Sequence, residues 1–103
     1  MSQTSTDATA TTTKTADLPE SERFRVLADE QRRLVLDVLD ERSGRVELDA
    51  LAAEVTTRSR EPDDVIDEED VHRTATALHH VHLPLLADLN VLDYDTESRL
   101  LVV

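Results

Sequence analysis

The chain has 103 residues and no cysteine, with 23 Asp and Glu against 11 Lys and Arg and a net charge of −12 at pH 7. That length suits one domain with a modest core and excludes a large enclosed substrate cavity, while the missing thiols exclude disulfides, thiolate nucleophiles and cysteine-based zinc sites. There is no run of eighteen apolar residues and no secretory-type N-terminus, so the expectation is a cytoplasmic protein without membrane attachment.

The carboxylates are spread along the chain rather than gathered in a block, and Lys14 is the only lysine beside ten arginines. In molar salt the Debye length is about 3 Å, so such a surface repels itself weakly there and strongly at low salt. The acidity therefore reads as an adaptation to salt. The competing reading is an acidic protein that mimics nucleic acid or binds a basic partner.

Residues 1–17 are mainly Thr, Ala and Ser and lack branched aliphatic or aromatic side chains, which predicts a disordered tail ahead of a domain over 18–103. Pro19, Glu20 and Glu22 suit a helix start, and a short helix is expected from Glu20 to about Ala28 with Phe24, Leu27 and Ala28 on its apolar stripe. Asp29 is a good N-cap for a second helix carrying Leu34, Val35, Val38 and Leu39 on one face. This helix is expected to end at Ser43-Gly44, where the single glycine supplies a left-handed cap.

Arg45-Val46-Glu47 leaves room for a very short strand. A third helix is expected next, capped by Asp49, with Leu48, Leu51, Ala52 and Val55 at helical spacing and an end near Thr57. The polar stretch from Arg58 to Asp67 reads as a loop insertion. Residues 68–82 predict a further helix with Val71, Ala75, Leu78 and Val81 inward and His72, Arg73, Thr76, His79 and His80 mostly outward. Pro84 should kink the chain into another turn of helix ending at Asn90 in a left-handed cap. Val91–Tyr94 and Arg99–Val103 are β-prone runs around a tight turn at Asp95–Ser98, giving one hairpin that needs the helical body to cover it.

The resulting order is helix, helix, short strand, helix, helix, hairpin. It is mainly α with a small β-hairpin, the order of a winged helix-turn-helix. At this level the sequence also resembles small haloarchaeal winged-helix domains akin to ArsR-type regulators, over about residues 18–103. The carriers are LADEQRRLVLDVLDE, VELDALAAEV, TALHHVHLPLLADLNVLDYD and the short terminal strand. The resemblance implies that fold and a regulatory role; reading function from fold alone is analogy.

On that reading the candidate DNA-binding residues are His72, Arg73, Thr76, His79 and His80 on the outward helix face, Arg58 and Arg60 just upstream, and Arg99 at the wing. Their side chains donate hydrogen bonds to phosphates or base edges, and double-stranded DNA is the expected partner. Against it stand Glu68, Glu69 and Asp70 at the start of the same helix and Asp95 and Glu97 at the wing tip. The competing function is a winged helix that mediates protein–protein contact or dimerisation without touching DNA. A homodimer is expected in either case, with Phe24, Val26 and Leu27 and the C-terminal strand as its natural surfaces. His79 and His82, one turn apart, raise the question of a metal, but no zinc-helix spacing supports one, and no cofactor is expected. No glycine-rich phosphate loop, catalytic triad or hydrolase signature is present, so neither catalysis nor a small-molecule substrate is expected.

Overall fold

The computed structural model of the chain describes residues 15–42 and 44–102. Most of the expected tail, and Ser43 and Val103, lie outside them. Thr15–Asp17 form a 3-10 turn in which Thr15 is fully buried and its carbonyl accepts from Leu18 N–H at 3.0 Å, so ordered structure begins ahead of the boundary expected at residue 18.

Helix α1 spans Glu20–Leu27 and α2 spans Glu30–Asp40, joined through Asp29. The Asp29 carboxylate accepts from the N–H groups of Gln31 (2.8 Å) and Arg32 (3.4 Å), satisfying two donors that a helix start leaves unpaired. Val26, not Phe24, is the residue α1 buries: Val26 is fully buried and Phe24 is 70% exposed. The apolar stripe expected there was therefore set one face off. In α2 the buried set is Val35, Leu36, Val38 and Leu39, and Leu34 packs at the core's edge. The helix ends at Asp40, and Gly44, at φ +83°, instead turns the chain into strand β1 (Arg45–Glu47).

Helix α3 runs from Leu48 to Arg58, so Asp49 sits in its first turn rather than capping it. The unpaired Leu48 N–H donates to the carbonyl of Arg99 at 2.9 Å, which ties the helix start to the far hairpin. Helix α4 spans Glu68–Ala77 and begins with a capping box: Asp67 accepts from Asp70 N–H at 2.9 Å, and Asp70 accepts from Asp67 N–H. A π-helical turn, Leu78–His82, then joins α4 to α5 (Leu83–Asp88).

The π turn has a visible cause. Pro84 has no N–H to give the carbonyl of His80, and its ring crowds that carbonyl; the chain accommodates this by widening, with Leu83 N–H reaching back five residues to Leu78 O. One extra residue per turn shifts the register. Val81, expected inside, is 54% exposed, and His82 is buried in its place. Helix α5 closes with Asn90 at φ +63°: Asn90 N–H bonds Ala87 O at 3.0 Å and Val91 N–H bonds Leu86 O at 2.9 Å, a Schellman end with buried Leu86 and Val91 beside it.

Strands β2 (Asp93–Asp95) and β3 (Leu100–Val102) form the expected hairpin. It does not stand alone, because β1 also pairs with β3, giving a three-stranded antiparallel sheet in the order β1-β3-β2 with Leu101 opposite both Val46 and Tyr94. Val46 and Leu101 join Leu51, Val55, Leu78, Leu83 and Leu86 in one core. The architecture is thus mainly helical with a small sheet. Among the described residues no helix is long and apolar enough to cross a membrane.

Candidate functional site

The hairpin and α4 meet at a cleft of about 90 Å³ lined by Leu48, Asp49, His72, Ala75, Thr76, His79, His80 and Arg99. Two devices hold the hairpin there. The Asp95 carboxylate accepts from Glu97 N–H (2.9 Å) and Ser98 N–H (3.4 Å), and these bonds hold it below the usual carboxylate range. Arg99 then takes φ +60°, which lets its N–H close the loop on Asp95 O at 2.8 Å and its own carbonyl receive Leu48 N–H. A left-handed conformation at a non-glycine residue costs on the order of 1 kcal/mol, so the arginine is kept where glycine would sit more easily.

Five of the eight expected residues therefore converge: His72, Thr76, His79, His80 and Arg99 line one cleft. Within it the ring Nδ1 of His79 lies 2.6 Å from the Tyr94 hydroxyl. Burial pushes the Tyr94 phenol up, and its hydroxyl ties the His79 ring to strand β2. His79 and His80 stand edge to face with ring centroids 4.8 Å apart. Thr76 donates its hydroxyl to His72 O at 3.0 Å. Arg99 has no carboxylate partner among the described residues, although Asp49 shares the cleft.

The other three arginines lie apart from that cleft and are engaged by acids. Arg58 makes a bidentate pair with Glu41 (2.6 and 3.0 Å) and reaches Glu54 at 3.2 Å, and this guanidinium holds the Glu41 carboxyl below its ordinary value. Arg60 and Arg73 share the Asp70 carboxylate at 3.2 and 3.3 Å. Arg73 is 68% exposed, and an exposed pair of this kind contributes about 0–1 kcal/mol, so its side chain is free to exchange partners. The pairing of Arg58 with Glu41, seventeen residues away, was not legible in the sequence, whereas Arg58–Glu54 and Arg73–Asp70 are local helix pairs. Sequence reasoning also missed Tyr94, whose only local signal was an aromatic at the edge of a hairpin.

His82 belongs elsewhere. It is buried against α2, its Nδ1 3.3 Å from Arg32 Nη1 and its Nε2 3.8 Å from Asp29, and so diverges from His79. Among the described residues no group of three His, Asp or Glu is arranged to hold a metal ion.

A family model described as a domain of unknown function, DUF7344, matches residues 24–102. The chain belongs to the DUF7344 family. The matched span runs from the exposed Phe24 of α1 through the last strand and includes every residue of the cleft, while Thr15, Leu18 and the first half of α1 lie ahead of it. No ArsR-type or winged-helix family is indicated. Comparison with curated proteins and with solved structures returned no match.

Proposed function

We propose that this is a non-catalytic winged helix-turn-helix domain that binds double-stranded DNA as a transcriptional regulator in a salt-adapted archaeal cell, with α4 as its reading helix and the β2–β3 hairpin as its wing. The observation that carries the reading is the convergence of His72, Thr76, His79, His80 and Arg99 on one cleft, at the junction of helix face and hairpin. The sheet order β1-β3-β2 supports it, since a strand between the second and third helices pairs with the far strand of the hairpin. Imidazole and guanidinium donors suit phosphate oxygens and the acceptor edges of the major groove. Arg73, on the exposed face of α4, would trade Asp70 for a phosphate or a guanine.

The net charge of −12 weakens this reading less than it would for a protein of dilute solution. Affinity for DNA normally rests on counterion release, which falls away as bulk salt rises, and in molar salt binding has to come from hydrogen bonding and shape. The second reading, a protein-docking domain that leaves DNA alone, draws on the carboxylates that hold Arg58, Arg60 and Arg73.

Recovery of chromosomal fragments in high KCl, followed by fluorescence anisotropy on what is recovered, separates the two. Arg73→Ala removes no core contact and should weaken specific binding by about 1–3 kcal/mol if it reads a base, or weaken all sequences alike if it holds a phosphate. Recovery of no DNA by the wild type would favour the docking reading.

A further inference from the structure

We propose that α1 is a self-association surface on which two copies of this chain pair as parallel helices, Phe24 against Phe24 of the second copy, with Glu20 of each copy bound to Arg25 of the other. Its side facing the core is Val26, with Glu22, Arg23 and Leu27 half-buried beside it. Glu20, Ser21, Phe24, Arg25 and Ala28 are all exposed, and their spacing puts them on one continuous stripe along the opposite side. Phe24 is the single phenylalanine of the chain and is 70% exposed. Ser21 and Ala28, one turn to either side of it, are small enough to let a second helix approach.

The charges choose the occupant and its direction. Glu20 and Arg25 border the stripe on opposite flanks, and neither side chain has an ion-pair partner among the described residues; Arg32 engages the carbonyl of Arg25, not its guanidinium. In two parallel helices the flank of one meets the opposite flank of the other, and a residue on the first reaches the residue five positions later on the second. Glu20 and Arg25 are five apart. A two-fold axis therefore forms both ion pairs at once, whereas antiparallel helices would set like flanks together. A pattern that satisfies itself under two-fold rotation fits a second copy of the chain. The surface is distinct from the α4 cleft, so this inference does not depend on the proposed function. The face of an eight-residue helix is smaller than a standard interface of about 1,200–2,000 Å², so association should be weak and concentration-dependent.

Sedimentation equilibrium in the lowest KCl that keeps the chain folded, up to roughly millimolar protein, tests it. The wild type should move from the 11.6 kDa chain mass toward twice that value. Phe24→Asp should stay monomeric with unchanged far-ultraviolet circular dichroism. Glu20→Arg and Arg25→Glu should each weaken the dimer by about fivefold or more, and the double reversal should restore it. Since the chain has no cysteine, Ser21→Cys supplies a lone thiol that should oxidise readily to a disulfide dimer in the parallel arrangement. A wild type that remains monomeric throughout, a Phe24→Asp chain that dimerises as well as wild type, or a double reversal that fails to restore association would overturn the proposal.

Discussion

Arg32 donates from Nη1 to the ring Nδ1 of His82, fifty residues away in sequence, across 3.3 Å. The same guanidinium donates to the carbonyls of Val26 (3.0 Å) and Arg25 (2.6 Å), so one side chain joins the end of α1, the start of α2 and the π turn. Because Nδ1 accepts, the neutral ring carries its hydrogen on Nε2, the atom 3.8 Å from Asp29. Burial holds the His82 pKa below the ordinary histidine value, with Arg32 adding to the depression and Asp29 opposing it.

The sign of the consequence follows from linkage. A histidine depressed in the folded state contributes stability that is present above its unfolded pKa, about 6.5, and is lost as pH falls through the lower folded value, because the unfolded chain takes up the proton first. Thermal unfolding in constant KCl should therefore show the melting temperature falling below about pH 6.5. His82→Gln, which keeps an acceptor for Arg32, should flatten that part of the profile; an unchanged slope would assign the effect to other groups.

The α3–α4 contact contains a buried hydroxyl pair. Thr56 Oγ1 lies 2.7 Å from Ala52 O and 2.8 Å from Thr74 Oγ1, and with one hydrogen to give it donates to the carbonyl and accepts from Thr74. Thr56→Val should cost about 1–3 kcal/mol, because it strands the Thr74 hydroxyl, and Thr56→Val with Thr74→Val should cost less than Thr56→Val alone. Urea unfolding of the three variants measures this directly, and strict additivity would show that the two hydroxyls are uncoupled.

Stability and function should separate at Arg99. Arg99→Gly relieves the left-handed backbone and should leave stability equal or raise it by up to about 1 kcal/mol, whereas Arg99→Val, β-branched at φ +60°, should lose about 1 kcal/mol or more. The glycine variant should still lose DNA affinity, since the guanidinium is gone from the cleft. A glycine variant that binds as well as wild type would remove the hairpin from the interface.

Folding should require salt. The charge excess is carried almost wholly by the folded segment, whose carboxylates repel one another once screening is withdrawn. Circular dichroism should show helicity and melting temperature both rising with KCl. Equal values at low and at molar KCl would revive the acidic-mimic reading.

What the sequence revealed was local. Asp29 as a cap, the strand at Arg45–Glu47, the helix start after Asp67, Asn90 in a left-handed turn and the final hairpin all depend on a few neighbouring residues, and all are present. Distant partners were not legible. Periodicity at 3.6 residues carries past Leu78, where Pro84 widens the helix, so Val81, expected inside, is exposed. The pairing of β1 with β3 and the capture of Arg58 by Glu41 depend on folding over long stretches of chain. The cleft was legible in part: a helix face could be read as a set, and Arg99 was placed at the wing, but Asp49 and Tyr94 entered only with the tertiary fold.

The central claim is that the α4 face and the hairpin form one nucleic-acid surface. Titrating double-stranded DNA recovered from chromatin into isotopically labelled protein, in KCl sufficient for folding, and following the side-chain resonances of His72, His80, Arg73 and Arg99 together with the backbone amides tests it most directly. Binding through this surface predicts that those four side chains and the amides of α4 and residues 95–100 shift together, while the exposed face of α1 around Phe24 stays unperturbed. Shifts confined to α1, or none at saturating DNA, would contradict it.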